Sequence, residues 1–585
     1  MLSTQETLPQ EVTISSDRRG WLIRPRVKGD LLRLGAALRS RLPGDHILAH
    51  REGYIVRPTG LPQLVELFPP GSGGWEDSGC RLAVAYAEVQ ERHARARLEV
   101  AASLEDPYGA LADYSGLHKL DRHQVEAVAA MTVPSLVGIG LFDEQGVGKT
   151  ITALAAFDVL SNRGEVEKML VVAPKSVLAA WEGDSRLLFG DQKRVVTVWG
   201  SRQERRRILF QEHDIALISF ESAVADKVYL RALLDREAGK YLLAVDESYY
   251  VKNPSAQRSA ALAEIRQHCR RAFVLCGTPA PNSARDIVNQ LNLADAGATF
   301  SRVVIPSTEQ DAHEAIRAAL EDSAIILRRL KEDVLMGLLP KEFERVYIDF
   351  QPRQGELYRA ALESLVADVL TVDDAHFRQN LGSYMARRSA LLQICSHPGS
   401  VVSNYTEQPA KLLAIDRLLE ELIEGQGEKI VLWSFYRYTL ERLDERYRRY
   451  GLVRIDGSVT SPVERAAAIE SFQNDASVRI FLGNPAAAGA GITLTAGAHA
   501  VYESFSNQPA HYLQSVDRIH RRGQRRKVVS HVLITSGSLE EVEFDRLLEK
   551  EASARELLRD PIREPVTRHR FLRTLGVDPP SALTP

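Results

Sequence analysis

A chain of 585 residues exceeds one hydrophobic core, so about three or four units are expected. A formal net charge of −3 excludes a uniformly basic nucleic-acid binder, and any such contact must come from local basic surfaces. The four cysteines, Cys80, Cys269, Cys276 and Cys395, contain no CxxC pair, so no disulfide framework or zinc site is implied, which favours a reducing cytosol. The first residues, MLSTQETLPQEVT, lack the charged-then-apolar pattern of a signal peptide, and the longest apolar stretch, 131–142, is too short to span a membrane. A cytoplasmic protein without membrane contact is expected.

Residues 11–14 and 20–24 read as two arms of a hairpin. Residues 30–42 place leucines at helical intervals, 46–58 read strand, turn, strand, and 61–67 form a second short helix. Residues 1–75 are thus a small α+β accessory unit with a glycine-serine break at 71–74. A helical linker, 76–116, carries a charged, alanine-rich helix over 80–100.

From residue 117 the period changes. Apolar strands at 136–142, 168–172, 195–198, 215–219, 241–245 and 272–276 alternate with helical stretches. A second set follows at 429–434, 452–455, 478–482, 498–503 and 528–534. The fold class is α/β: two tandem units with mainly parallel sheets covered on both faces, at 117–310 and 426–555. A helical hinge and the start of the second unit occupy 311–425, and 556–585 form a proline-bearing tail.

Two segments carry phosphate chemistry. Residues 143–150 read DEQGVGKT, between an apolar strand and a helical pattern. Such a loop points backbone N–H groups and a helix N-terminus at a phosphate, so Gln145, Gly146, Val147, Gly148, Lys149 and Thr150 are candidate nucleotide ligands. Lys149 suits the β/γ-phosphates and the Thr150 hydroxyl suits Mg²⁺. Position 143 is Asp where the strict pattern has Gly. Residues 243–248, LAVDES, end a second strand in adjacent carboxylates: Asp246 for Mg²⁺, Glu247 for orienting a water at the γ-phosphate.

With further motifs in the family's order, 120–124 LDRHQ, 171–176 VVAPKS, 218–222 ISFES, 277–279 GTP and 514–524 QSVDRIHRRGQ among them, the chain from about 117 to 550 resembles the Swi/Snf-type ATPases of helicase superfamily 2. That resemblance implies two RecA-like lobes, ATP and Mg²⁺ as cofactors, and movement along double-stranded or branched DNA. It assigns Gln124 to the adenine, and Lys175, Ser176, Ser219 and Thr278 to turns near a nucleic-acid backbone or linking to it. Trp181 follows at helical spacing, as a buried anchor or a nucleic-acid contact. The acidic box departs from the family at its fourth position, where Tyr249 replaces the common His; this touches the coupling of hydrolysis to motion. The segment with Arg328, Arg329, Lys331 and Lys341 resembles the family's hinge, and His397 reads as a structural cap.

In the second lobe, 489–494 resembles the glycine turn near nucleotide and DNA backbone, with Gly491 toward the first and Thr493 toward the second. Residues 514–524, QSVDRIHRRGQ, form the sharpest motif. On a helix, Gln514, Arg518 and Arg521 share a face, which offers two guanidinium groups to a nucleotide on the other lobe. The N-terminal unit, with Trp21, Arg24, Arg26, Arg51, Tyr54 and Arg57, resembles the HARP unit of annealing helicases; a generic packing domain is the alternative. The function implied is an ATP-dependent double-stranded DNA translocase, with a DNA-stimulated ATPase as its motor. A strand-separating helicase stays open, as does a regulatory ATPase acting on a partner such as RNA polymerase or a defence complex. Proteins of DNA repair, transcription or defence are the expected partners.

Overall fold

Sequence runs that are apolar on every residue need a sheet covered on both faces, whereas alternating runs need only one. Both kinds occur. The computed structural model describes residues 12–17, 20–42, 47–56, 61–68, 75–280, 283–301, 303–323, 325–335, 338–339, 341–459, 461–488, 492–504 and 509–546. The N-terminal strands β1 (Val12–Asp17), β2 (Gly20–Pro25), β3 (Ile47–His50) and β4 (Gly53–Val56) form an antiparallel sheet in the order β1-β2-β4-β3. Ile14, Ile23 and Val56 pack with Leu34 and Leu38 of the helix Leu31–Arg41 and Leu64 of the helix Leu61–Leu67. Trp21 meets Trp75 edge to face at 6.0 Å, and Trp75 Nε1 donates to Phe68 O at 2.8 Å. The strand–helix–strand–helix order is the expected one; Arg57 lies outside the described residues.

The helix Asp77–Glu105 is longer than its sequence pattern and is docked on the next unit. Ala96 and Val100 enter the core of the first α/β lobe, beside Leu111 and Tyr114. Arg92 Nε donates to Ser135 O at 3.0 Å, and Ser135 donates its N and Oγ to Glu99 at 2.8 and 2.7 Å.

The first lobe holds β5 (Gly138–Leu141), β6 (Lys168–Ala173), β7 (Val195–Val198), β8 (Ile215–Ser219), β9 (Tyr241–Asp246), β10 (Arg271–Leu275) and β11 (Ile326–Leu327). All pairs are parallel, in the order β11-β5-β10-β9-β6-β8-β7. Strands β5, β10 and β9 are neighbours, so the turns that leave their carboxyl ends meet at one edge of the sheet.

The second lobe holds β12 (Lys341–Ile348), β13 (Ile430–Trp433), β14 (Leu452–Ile455), β15 (Ile480–Gly483), β16 (His499–Tyr502) and β17 (Val528–Thr535). They form a parallel sheet in the order β12-β17-β16-β13-β15-β14. The segment 311–425 is more than a helical hinge. Its helices Pro352–Thr371 and Asp374–Ser396 share a core of Tyr358, Leu365, Phe377 and Leu391, yet β11 joins the first sheet and β12 edges the second. The sequence reading missed both strands: β11 is too short to show a period, and β12 has no fully buried residue.

Candidate active site

The loop from β5 into the helix Lys149–Asn162 turns through Gly146 and Gly148, both with φ near +90° (87° and 91°). A β-carbon at 146 would press on Arg521 Cβ at 3.2 Å and Lys331 Cε at 3.3 Å. Glycine stands there because the second lobe and the hinge come this close. A β-carbon at 148 would collide with the Gln124 amide, whose Nε2 donates to Gly148 O at 3.3 Å while Oε1 accepts Asp121 N at 2.9 Å. His123 joins the same loop through Val147 O at 2.9 Å.

Lys149 is buried, and among the described residues its Nζ bonds only neutral oxygens: Asp143 O at 2.9 Å, Glu144 O at 3.3 Å and Gln145 Oε1 at 3.4 Å. A buried ammonium without a paired carboxylate is a site for an anion. The Asp143 carboxylate, where a strict loop has Gly, is not aimed at Lys149. It is buried and held by both arms of Arg329, at 3.0 and 2.6 Å, and Arg329 also donates to His123 O. Glu144 Oε2 accepts Lys331 N at 2.8 Å.

Asp246 ends β9, next to β10 and facing this loop. Its Oδ1 accepts Glu247 N at 2.8 Å, and its Oδ2 accepts Trp181 Nε1 at 2.8 Å. Trp181 is fully buried, so the anchor alternative holds, with one added duty: it fixes a carboxylate. Glu247 has φ +50°, a strained conformation for a side-chain-bearing residue and one found at functional turns. Its Oε1 accepts Gln145 Nε2 at 3.0 Å; its Oε2 is buried with no partner among the described residues. Burial pushes both carboxyls up, and Asp246 adds to the rise at Glu247, while Lys149 and Arg518 pull each one down.

The second lobe faces these groups with Gln514, Arg518 and Arg521, but not on one helix. The helix Pro509–Val516 stops before both arginines. Arg518 N and Ile519 N take tighter bonds to Ser515 O and Val516 O, at 3.2 and 3.3 Å, and Gly523 follows with φ +96°. The Gln514 carbonyl accepts Arg518 Nε at 2.9 Å, and Arg518 O accepts Leu494 N at 2.9 Å. The guanidinium of Arg518 is buried and drawn toward Glu247, Asp517 and Asp246; burial and the adjacent Arg521 lower its pKa. Arg521 Nη1 donates to Ile492 O at 3.0 Å, and its charge faces Asp184. Burial pushes Asp184 up to about 6, against the pull of Arg521. Gln514 Nε2 is buried and unpartnered among the described residues. Lys331 closes the hinge: its Nζ pairs with Asp517 and donates to His520 O at 2.9 Å, and Arg522 Nη1 reaches Asp121 at 2.7 Å.

The remaining expected positions are spread more widely. Lys175 is exposed and Ser176 half-buried at the start of the helix Lys175–Phe189. Ser219 is buried and caps the helix Phe220–Ala225 by accepting Ser222 N at 3.2 Å, so its hydroxyl is spent inside the lobe. Thr278 is buried beside the Gln145 side chain that abuts Gly277. Thr493 is half-buried and Gly491 lies outside the described residues. Tyr249 packs on Tyr250 at 4.6 Å, and Tyr250 on Phe220 at 5.3 Å, so the departure from His starts an aromatic run toward the Ser219 turn. His397 caps as expected, accepting Gly399 N at 3.1 Å. Asp184 and Gln290 lie close to these groups and were not named from the sequence, and for Trp181 the bond to Asp246 was not foreseen; Asp184, three residues after Trp181 on the same helix, was the available signal.

The arrangement suits a nucleoside triphosphate: a buried cation on neutral oxygens, an orphaned Glu247 oxygen, and a loop with no β-carbon at its closest approach. Thr150 and Asp246 are oxygen donors for a hard divalent cation, and among the described residues no group of three His, Cys, Asp or Glu could hold a metal alone.

A family model described as SNF2-related domain matches residues 96–400, and one described as Helicase conserved C-terminal domain matches 411–523. The chain belongs to the SNF2-related family. It is 30% identical over 437 residues to an ISWI chromatin-remodeling complex ATPase of Arabidopsis thaliana, covering 70% of this chain and 40% of that one. It is 26% identical over 511 residues to a DNA repair and recombination protein of Mus musculus, covering 74% of this chain and 56% of that protein. A probable chromatin-remodeling complex ATPase chain of Oryza sativa subsp. japonica is 29% identical, with 38% of its length matched, so the chain spans about two fifths of such relatives. Among solved structures, the Sulfolobus solfataricus SWI2/SNF2 ATPase core in complex with dsDNA is similar with TM-score 0.35 and 24% identity, over 76% of this chain and 97% of that one. Among the described residues no helix is long and apolar enough to cross a membrane.

Proposed function

We propose that the chain is an ATP-dependent translocase on double-stranded DNA, hydrolysing ATP between its two lobes and remodelling DNA or protein–DNA complexes. One observation carries this function: a buried lysine and an acidic pair at the carboxyl end of one sheet face two arginines of the other lobe across the hinge. In this scheme Lys149 and the backbone of 145–150 hold the phosphates, Gln124 and Gln514 flank the nucleotide, and Glu247 orients the attacking water. A Mg²⁺ held by Thr150 and Asp246 would neutralise charge on the phosphates. Arg518 and Arg521 stabilise the charge that develops in the transition state, and its loss on hydrolysis releases the lobe. Lys175, Ser176, Thr278 and Thr493 are the proposed line toward the DNA backbone. Relatives named for chromatin remodelling and for DNA repair and recombination support DNA as the track.

The test is the ATPase rate with duplex, single-stranded and forked DNA side by side. Stimulation by duplex is expected, weakening as salt rises, because phosphate contacts release counterions. A rate indifferent to DNA at low salt would transfer the function to a protein partner instead.

The N-terminal unit is proposed as the reader of DNA structure. Removal of residues 1–75 is expected to keep duplex-stimulated ATPase and lose the extra stimulation by forks. The cut must stop there, because the helix Asp77–Glu105 supplies Ala96 and Val100 to the first lobe's core. An unchanged fork-to-duplex ratio would leave the unit a packing or docking domain.

A further inference from the structure

Gln290 lies on the helix Asp286–Asp295 and is fully buried. Its Oε1 accepts Ser248 Oγ at 2.6 Å, one residue beyond Glu247. Its Nε2 donates to Pro279 O at 2.5 Å and to Asp286 O at 2.7 Å. One side chain therefore joins the turn after β9 to the turn after β10. The preceding residue reinforces the link, since Asn289 Nδ2 donates to Val251 O at 2.5 Å in the first of those turns. A buried amide left unpaired is destabilising, so a shift of either turn carries the other with it. Both ends matter to chemistry. The Ser248 turn begins at Glu247, whose backbone is strained, and the Pro279 turn holds Thr278, with Gly277 against the Gln145 side chain. Tyr249, at the position the family gives to His, is engaged in the aromatic run instead, so the polar route between the turns passes through Ser248.

We propose that Gln290 is a positioning residue that transmits the state of the 247–248 turn to the 277–279 turn and thereby sets how strongly DNA stimulates hydrolysis. This rests on the translocase function above. Gln290→Leu removes both links at similar volume. Gln290→Glu keeps an acceptor for Ser248 and loses the donors to Pro279 and Asp286. Ser248→Ala removes the first link alone and serves if a Gln290 variant fails to fold. Basal ATPase should stay within about twofold of the parent while the DNA-stimulated increment falls about fivefold or more. The Ser248→Ala, Gln290→Leu double variant should be no worse than Gln290→Leu, because both act on one path. Melting temperature, and DNA affinity with and without a non-hydrolysable nucleotide, complete the readout; the variants should lose the nucleotide effect on affinity. Variants that keep the parent's stimulation ratio would overturn the proposal, as would basal and stimulated rates falling in parallel with the melting temperature. A parent indifferent to DNA would instead remove the translocase function, and this inference with it.

Discussion

Glu247→Gln is expected to bind ATP and to lose hydrolysis by a factor on the order of 10²–10⁴, the usual contribution of a positioned acid–base group. The substitution is nearly isosteric. Its amide can still meet Gln145, and Asp246 keeps its bonds from Trp181 and the Glu247 amide. What disappears is the negative oxygen, Oε2, that has no partner among the described residues and is free to polarise a water. Lys149→Ala is expected to abolish hydrolysis too, but by a different route: it removes the buried cation, so nucleotide affinity falls as well. Single-turnover hydrolysis and nucleotide titration on both variants separate the routes. Parent-like turnover by Glu247→Gln would end the assignment of the water to that carboxylate.

Arg521→Ala should lose hydrolysis by about 10³–10⁵, the range found for arginine fingers, with nucleotide binding nearly intact. Arg518→Ala should lose as much or less. The geometry supports a division of labour. Arg518 is buried and faces the acidic pair, whereas Arg521 sits where Gly146 leaves room and has Asp184 opposite it. If both variants merely raise the ATP requirement and retain the maximal rate, the arginines bind the ground state and are not fingers.

The sequence showed most of the two sheets because their central strands are buried on every residue and carry long apolar runs, 241–245 in β9 and 272–275 in β10. It showed the glycine loop and the adjacent carboxylates Asp246 and Glu247 because left-handed turns favour glycine and the proposed metal chemistry calls for paired carboxylates after a strand. Other features were hidden for distinct reasons. Asp143 read as a departure from a pattern, but its meaning lies in Arg329, 186 positions away. Trp181 had the right spacing for a buried face, while its partner Asp246 is 65 positions on. For Arg518 and Arg521 the helical period put both charges on one helix face, whereas the helix ends before either of them. The strand β12 has no clean period of two, since Glu344 and Arg345 are both exposed while Phe343 packs on one core and Val346 and Ile348 on another, and such an edge strand is easily taken for loop.

Lys331 gives the hinge a mechanical character. Its backbone amide is bonded to Glu144, beside the phosphate loop, and its ammonium to Asp517 and the His520 carbonyl, beside the arginines. The lobe rotation that the proposed cycle requires would then turn about contacts within a few residues of the 145–150 loop. In the second sheet β15 and β14 stand at the opposite end from β12, the strand that follows the hinge. In the proposed translocation cycle, a small movement at the phosphates would become a larger travel at that distant edge.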